Sequence, residues 1–268
     1  MIESIMLAWL WVAGVMILAW CIGLWIHNPS VIDVFWPMTI LLASLILAGG
    51  MASGLISQLL QLLLLLWSLR LAGYLLFKRV LPHHLDKRYT YISSSWDGSK
   101  KIGFFLHFQL QGVLAVVIAL PFLFIDHHLS FNFFNGIGLL LVLIGIIFES
   151  VADVQLIGAK EQGLTLCQKG LWQYSRHPNY FFEWIIWLGF AMAGWSASLQ
   201  MTLRDERILD FAWLSLCSPV LLLAIMLKVT IPLTEKLSIQ AKGSIYRQYQ
   251  QSTSMFVLLP PKKRLPKT

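Results

Sequence analysis

The feature that most constrains this chain is a series of apolar runs with almost no charge, lying near residues 5–26, 34–50, 56–77, 103–125, 136–155, 180–200 and 207–229. A bilayer's hydrocarbon core takes about 20 residues of helix, and in lipid only helices and closed barrels satisfy their own backbone. Continuous stretches such as Leu62 to Leu66 lack the alternation a membrane barrel needs. Composition points the same way. Hydrophobic residues make up 57% and charged residues 12% of the 268, where soluble domains carry about 25% charge. The expectation is an all-α, polytopic integral membrane protein of about seven transmembrane helices, forming a single membrane domain over residues 1–268. The second run is short, and Gly49, Gly50 and Gly54 mark its exit. The first run has only Glu3 before it and no basic lead, so it reads as a retained span.

Charge gives the spans a direction. Lys78, Arg79, Lys87, Arg88, Lys100 and Lys101 follow the third run, and Lys160, Lys169 and Arg176 follow the fifth. Lys236, Lys242, Arg247, Lys262, Lys263, Arg264 and Lys267 follow the seventh. With seven spans these segments share one side, while the other side receives Arg204 and Arg207. The positive-inside rule then puts the N-terminus outside and the tail, 230–268, in the cytoplasm. The net charge of +7 therefore reflects the membrane and not nucleic acid. Lys262, Lys263 and Arg264 read as an anchor for anionic membrane lipid. Cys21, Cys167 and Cys217 stand apart without ligand spacing and read as packing residues. His83-His84 and His127-His128 read as solvated pairs, and no metal site is expected.

Ionisable residues in or beside spans are costly and mark candidate sites. Asp33 opens the second run ahead of Trp36 and Pro37, either as a solvated cap or as a functional acid. Arg70 lies in the third run with Tyr74 one turn on. Glu149 and Asp153 lie four apart on one helix face. Arg70 and Glu149 also suit a structural pair. Pro178 suits the first position of a helix and pushes His177 out of helical geometry, so a helix should begin there. Its N-terminus favours an anion, and Arg176 adds a donor suited to phosphate or carboxylate. His177, Asn179 and Tyr180 add polar contacts, and Glu183 can accept hydrogen bonds from a ribose or an amide. A merely capped helix would leave Asn179 and Glu183 without partners at the membrane. No dinucleotide-binding GxGxxG, phosphate-binding loop or GxSxG nucleophile motif is present.

The stretch from Gly170 through Ser175-Arg176-His177-Pro178-Asn179-Tyr180-Phe181 resembles the signature of the steroid 5-alpha-reductase-like membrane proteins, in particular a largely uncharacterised bacterial branch. The resemblance extends to Asp33-Val34-Phe35-Trp36, to Trp67 through Arg79, and to Asp86-Lys87-Arg88-Tyr89. It continues through Gln109 to Pro121, Glu149 to Gln155, and Ile231-Pro232-Leu233-Thr234-Glu235. It implies a seven-helix fold holding NADPH from the cytoplasmic side of a bacterial inner membrane. By position it carries cofactor roles to Asp153, Lys160, Arg176, Asn179, Tyr180 and Glu183, and also to His177 and Glu235. It implies reduction of a carbon–carbon double bond conjugated to a carbonyl in a lipid-like substrate. Two positions depart from the family: Phe182 stands where a Gly is common, and Trp67 where steroid reductases carry a ketone-polarising Tyr. Asp33 and Tyr74 are then the candidate proton donors, while Trp36, Trp67, Arg70 and Glu149 are substrate-facing or structural. Two other functions compete. One is an S-adenosylmethionine-dependent membrane methyltransferase, whose R-H-P-x-Y motif is similar. The other is a non-enzymatic membrane scaffold.

Overall fold

The computed structural model describes residues 1–52, 54–82, 86–125, 129–202, 211 and 213–262. Arg204, Arg207, Lys263, Arg264, Lys267 and the two histidine pairs lie outside the described residues. Among the described residues the chain is helical with no strand, and one isolated parallel bridge joins Ser175 and Ser254. Among the described residues, five helical stretches are long and apolar enough to cross a bilayer: Ile2–Trp25, Leu55–Val80, Lys100–Ile118, Phe133–Glu161 and Leu214–Lys242. That is the character of an integral membrane protein.

The helices are α1 (Ile2–Trp25), α2 (Val31–Leu47), α3 (Leu55–Leu75), α4 (Lys87–Ser94), α5 (Lys100–Ile118), α6 (Phe133–Glu161), α7 (Pro178–Thr202), α8 (Leu214–Ile225), α9 (Ile231–Lys242) and α10 (Ser244–Ser252). Several ends differ from the sequence expectation, for local reasons. α2 starts at Val31, which puts Asp33 in its first turn. It stops at a glycine turn in which Gly49 N–H bonds Ile46 O (3.1 Å) and Gly50 N–H bonds Leu45 O (2.9 Å), closing the last carbonyls. α5 ends at Ile118, and Pro121 sits in a short 3-10 turn, Leu120–Leu123, beyond it. α6 runs to Glu161 and closes the same way, with Gly163 N–H on Lys160 O (3.0 Å) and Leu164 N–H on Ala159 O (2.9 Å). The tail expected from residue 230 begins as helix, because a π turn, Met226–Thr230, carries α8 into α9. Pro232 is near the start of α9, where its missing N–H costs least.

The chain divides into two compact units, Met1–Leu140 with Leu188–Leu221, and Leu141–Trp187 with Leu222–Thr268. In the first, α2 packs against α1, α3 and α5. α1 buries one stripe, Ala8, Val12, Met16 and Ala19, and leaves most other large side chains facing outward, as a lipid-facing helix does. A Cβ on Gly112 of α5 would stand 3.2 Å from Val12, so the glycine sets the close α1–α5 approach. In the second unit, α6 approaches α7 at Gly145, where a Cβ would stand 3.0 Å from Phe182 O.

Candidate functional site

α7 begins at Pro178, as the motif predicts. The segment leading into it is fastened to α6. Gln155 Oε1 accepts Leu171 N–H (2.9 Å), and Trp172 Nε1 donates to Ala152 O (2.9 Å). Gly170 turns the chain at φ +60°, and a Cβ there would collide with Gln155. His177 N–H donates to Ser175 Oγ (3.1 Å), and Phe181 N–H to His177 O (3.1 Å), which sets the first turn of α7.

The side chains that follow come together within the second unit. Glu149 and Asp153 are both buried on α6. Asn179 Nδ2 reaches Asp153 Oδ1 at 3.4 Å, and Trp187 Nε1 donates to Glu183 Oε1 at 3.1 Å. Asn179 and Glu183 therefore have partners, contrary to what the capped-helix reading required of them. The reason is that α6 supplies Asp153, 26 residues before Asn179, and the next turn of α7 supplies Trp187 at the i+4 position from Glu183. Phe182 is buried and stacks on Phe148 (5.2 Å between centroids). Lys160 is exposed in the last turn of α6, where a cation complements the helix dipole.

Arg176 is turned inward. Its Nε donates to Glu235 Oε1 (2.6 Å), and its Nη1 to Thr253 O (2.6 Å) and Gln250 O (3.0 Å). Glu235 also accepts from Gln250 Nε2 (2.7 Å) and faces His177 Nε2 (3.3 Å). Tyr180 stacks flat on the His177 ring at 5.3 Å. The chain after α10 completes the set. Arg176 N–H donates to Ser254 O (2.8 Å), Ser175 Oγ to Phe256 O (2.7 Å), and Leu259 N–H to Tyr174 O (3.1 Å). The Tyr249 hydroxyl donates to Trp172 O. Burial, then the nearby Glu235 charge, pushes the Tyr246 phenol up to about 12. A cavity of about 180 Å³ opens beside the end of α6, with Gln155, Gln162, Gln168 and Lys169 on its wall.

In the first unit, Asp33 is the centre of a second polar cluster. Its Oδ2 accepts from Arg79 Nη1 (2.6 Å) and Arg88 Nη2 (3.0 Å), and its Oδ1 from the Tyr89 hydroxyl (2.7 Å). Asp86 caps α4, accepting Arg88 N–H (2.9 Å), and its Oδ2 also binds Arg88 Nη2 (2.8 Å). Burial pushes the Asp86 carboxyl up, but Arg88 and then Arg79 outweigh it and hold it below the usual carboxylate range. Arg79, Asp86, Arg88 and Tyr89 were not singled out from the sequence as site residues. Their signal was the capping Asp of a polar helix, together with the D-x-R-Y element. Trp67 is fully buried on α3, with Arg70 and Tyr74 half-buried further along, and Trp36 is half-buried on α2. Ser68 Oγ donates to Pro37 O (2.9 Å) and ties α3 to α2. Among the described residues no group of His, Cys, Asp and Glu is arranged to hold a metal.

No solved structure matches the chain. An uncharacterized protein of Schizosaccharomyces pombe, C594.04c, is 26% identical over 275 residues, spanning 88% of this chain and 74% of that one. The steroid 5-alpha-reductase DET2 of Solanum lycopersicum is 40% identical over 63 residues, which is 23% of this chain and 24% of the enzyme. The family model described as "Protein of unknown function (DUF1295)" matches residues 19–253. The chain belongs to that family.

Proposed function

We propose that the protein is a membrane-embedded, NADPH-dependent reductase of a carbon–carbon double bond conjugated to a carbonyl in a steroid-like, isoprenoid or other lipid substrate. The observation that carries this reading is the 40% identity to a steroid 5-alpha-reductase over 63 residues. The polar groups gathered at the start of α7 support it. In this reading α2 and α7 join the five longer apolar stretches to give seven spans. The N-terminus lies outside the inner membrane, and the basic segments and the cofactor face the cytoplasm.

The residues suit a dinucleotide. The first N–H groups of a helix lack intrahelical partners and favour an anion, and Lys160 adds a cation for phosphate. Asp153 and Glu183 accept from ribose or amide donors, and Asn179 can both donate and accept. The stacked His177 and Tyr180 rings offer an aromatic face. Arg176 and Glu235, balanced against each other, hold the wall in place. When bound, NADPH would supply a hydride for the β-carbon of the enone. The resulting enolate then takes a proton. A donor at the carbonyl oxygen would stabilise the charge as it develops. Tyr74 is the proposed proton source, whereas Asp33 accepts hydrogen bonds from Arg79, Arg88 and Tyr89 and carries no proton to give. Trp67 in place of a Tyr favours an apolar substrate end over a steroid ketone contact.

The test is cofactor binding by purified protein in detergent, titrating NADPH and S-adenosylmethionine against wild type, Asp153→Ala and Arg176→Ala. NADPH should bind wild type and bind each variant at least about tenfold more weakly, matching loss of about 1.4 kcal/mol or more. S-adenosylmethionine should not bind. Tight S-adenosylmethionine binding with no NADPH response would replace the reductase with a methyltransferase, and binding of neither would leave the scaffold.

A further inference from the structure

The segment after α10 exposes apolar side chains at alternate positions. Met255, Val257 and Leu259 are 38%, 48% and 53% exposed, while Phe256 between them is buried. The alternation follows from how the segment is held. Ser254 O and Phe256 O face the 174–176 stretch and take its hydrogen bonds, and Leu259 N–H returns one. The odd-numbered side chains are left pointing away from that seam.

Depth is set by Phe256. Its ring meets the edges of Phe181 (5.5 Å) and Trp184 (6.2 Å). Both belong to the first two turns of α7, within about 10 Å of its start at a rise of about 1.5 Å per residue. A membrane helix crosses the headgroup region over that distance, and aromatic residues are enriched there. With α7 taken as a span that starts at the water's edge, the exposed row falls near headgroup level. Charge completes the pattern. Exposed Lys262 follows Pro260-Pro261, and its N–H is tied back to Ser252 O (2.8 Å), beside the row. The sequence continues with Lys263, Arg264 and Lys267. The two prolines bring no N–H donors that lipid would have to strip of water.

We propose that residues 255–262 are an interfacial strap, which seats Met255, Val257 and Leu259 among the headgroups of an anionic phospholipid leaflet while Lys262 pairs with lipid phosphate. An apolar row alone would suit many partners, but the lysine and arginine run adjoining it selects a negatively charged surface. The strap's main chain also holds Ser175 and Arg176, so leaflet charge bears on the start of α7. The inference rests on the proposed reading of α7 as a span and is independent of the reductase.

The experiment uses the full chain with Cys21 and Cys217 replaced by alanine and Val257→Cys carrying an environment-sensitive fluorophore. It is reconstituted into nanodiscs of phosphatidylcholine with or without phosphatidylglycerol. The probe at 257 should emit to the blue of one at Gln251→Cys on α10. It should be quenched by a lipid bearing a shallow nitroxide, more strongly when phosphatidylglycerol is present. Reversing Lys262, Lys263 and Arg264 to glutamate should remove the phosphatidylglycerol effect. Met255→Cys gives a second reporter if Val257→Cys folds poorly. Water-like emission at both positions, equal behaviour in the two lipid mixtures, or a shielded probe that the nitroxide lipid does not quench would each overturn the proposal. The last would point to a protein covering the row.

Discussion

Asp33 accepts hydrogen bonds from three side chains, Arg79, Arg88 and Tyr89, and shares both arginines with Asp86. Two acids against two guanidiniums leave no net charge, which lets the set sit with Asp33 only 12% exposed. Asp33→Asn would leave two cations to one anion. Removing one member of a largely buried set costs about 3 kcal/mol, read as a fall of several degrees in melting temperature in detergent. Tyr89→Phe removes one hydrogen bond to a charged group and should cost about 1.5 kcal/mol. Unchanged melting with lost turnover in Asp33→Asn would instead make Asp33 a group of the reaction. The acid was visible in the sequence because it opens an apolar run. Its partners were not, since they lie 46, 55 and 56 residues further on. Arg176 repeats the lesson. Its charge was plain beside Pro178, but the carboxylate it meets, Glu235, is 59 residues away.

Helices α6 and α7 meet through a glycine. A Cβ at Gly145 would stand 2.4 Å from Ile186 Cγ1 and 3.0 Å from Phe182 O, and the second of these is backbone that cannot rotate aside. Gly145→Leu should therefore push α7 away and destabilise by at least about 1–3 kcal/mol. Gly158→Ala on the same helix meets nothing within 4 Å and should be neutral or slightly stabilising. Thermal unfolding followed by size-exclusion chromatography compares the two, and equal effects would refute the close-approach argument. That these segments are helices was readable from apolarity. Where α6 ends was not, since the fifth run ends in polar residues that leave its boundary soft. The turn at Gly163 that closes it lies beyond them. The π turns at Leu76–Val80 and Met226–Thr230 leave no mark in hydropathy, because they change backbone pairing and not composition.

For the whole chain, the proposed orientation makes a prediction of its own. An alkaline phosphatase reporter should be active when fused near residues 52, 130 or 204 and inactive near residue 96, and a fluorescent protein after Thr268 should fold and fluoresce. The opposite pattern would overturn the orientation, and the cytoplasmic cofactor with it. Residence in a membrane and the start of α7 at Pro178 both rest on short-range properties, as does the proposed sidedness of the basic residues. Each depends on transfer of a single segment into lipid, or on φ and hydrogen bonding within a few residues, so neighbouring residues suffice to specify it. The Asp33 cluster, the Arg176–Glu235 pair and the fastening of the C-terminal segment to Ser175 are different in kind. They require groups far apart in the chain to meet at hydrogen-bonding distance, and that is set by how the helices pack in three dimensions, which no local pattern of residue types contains.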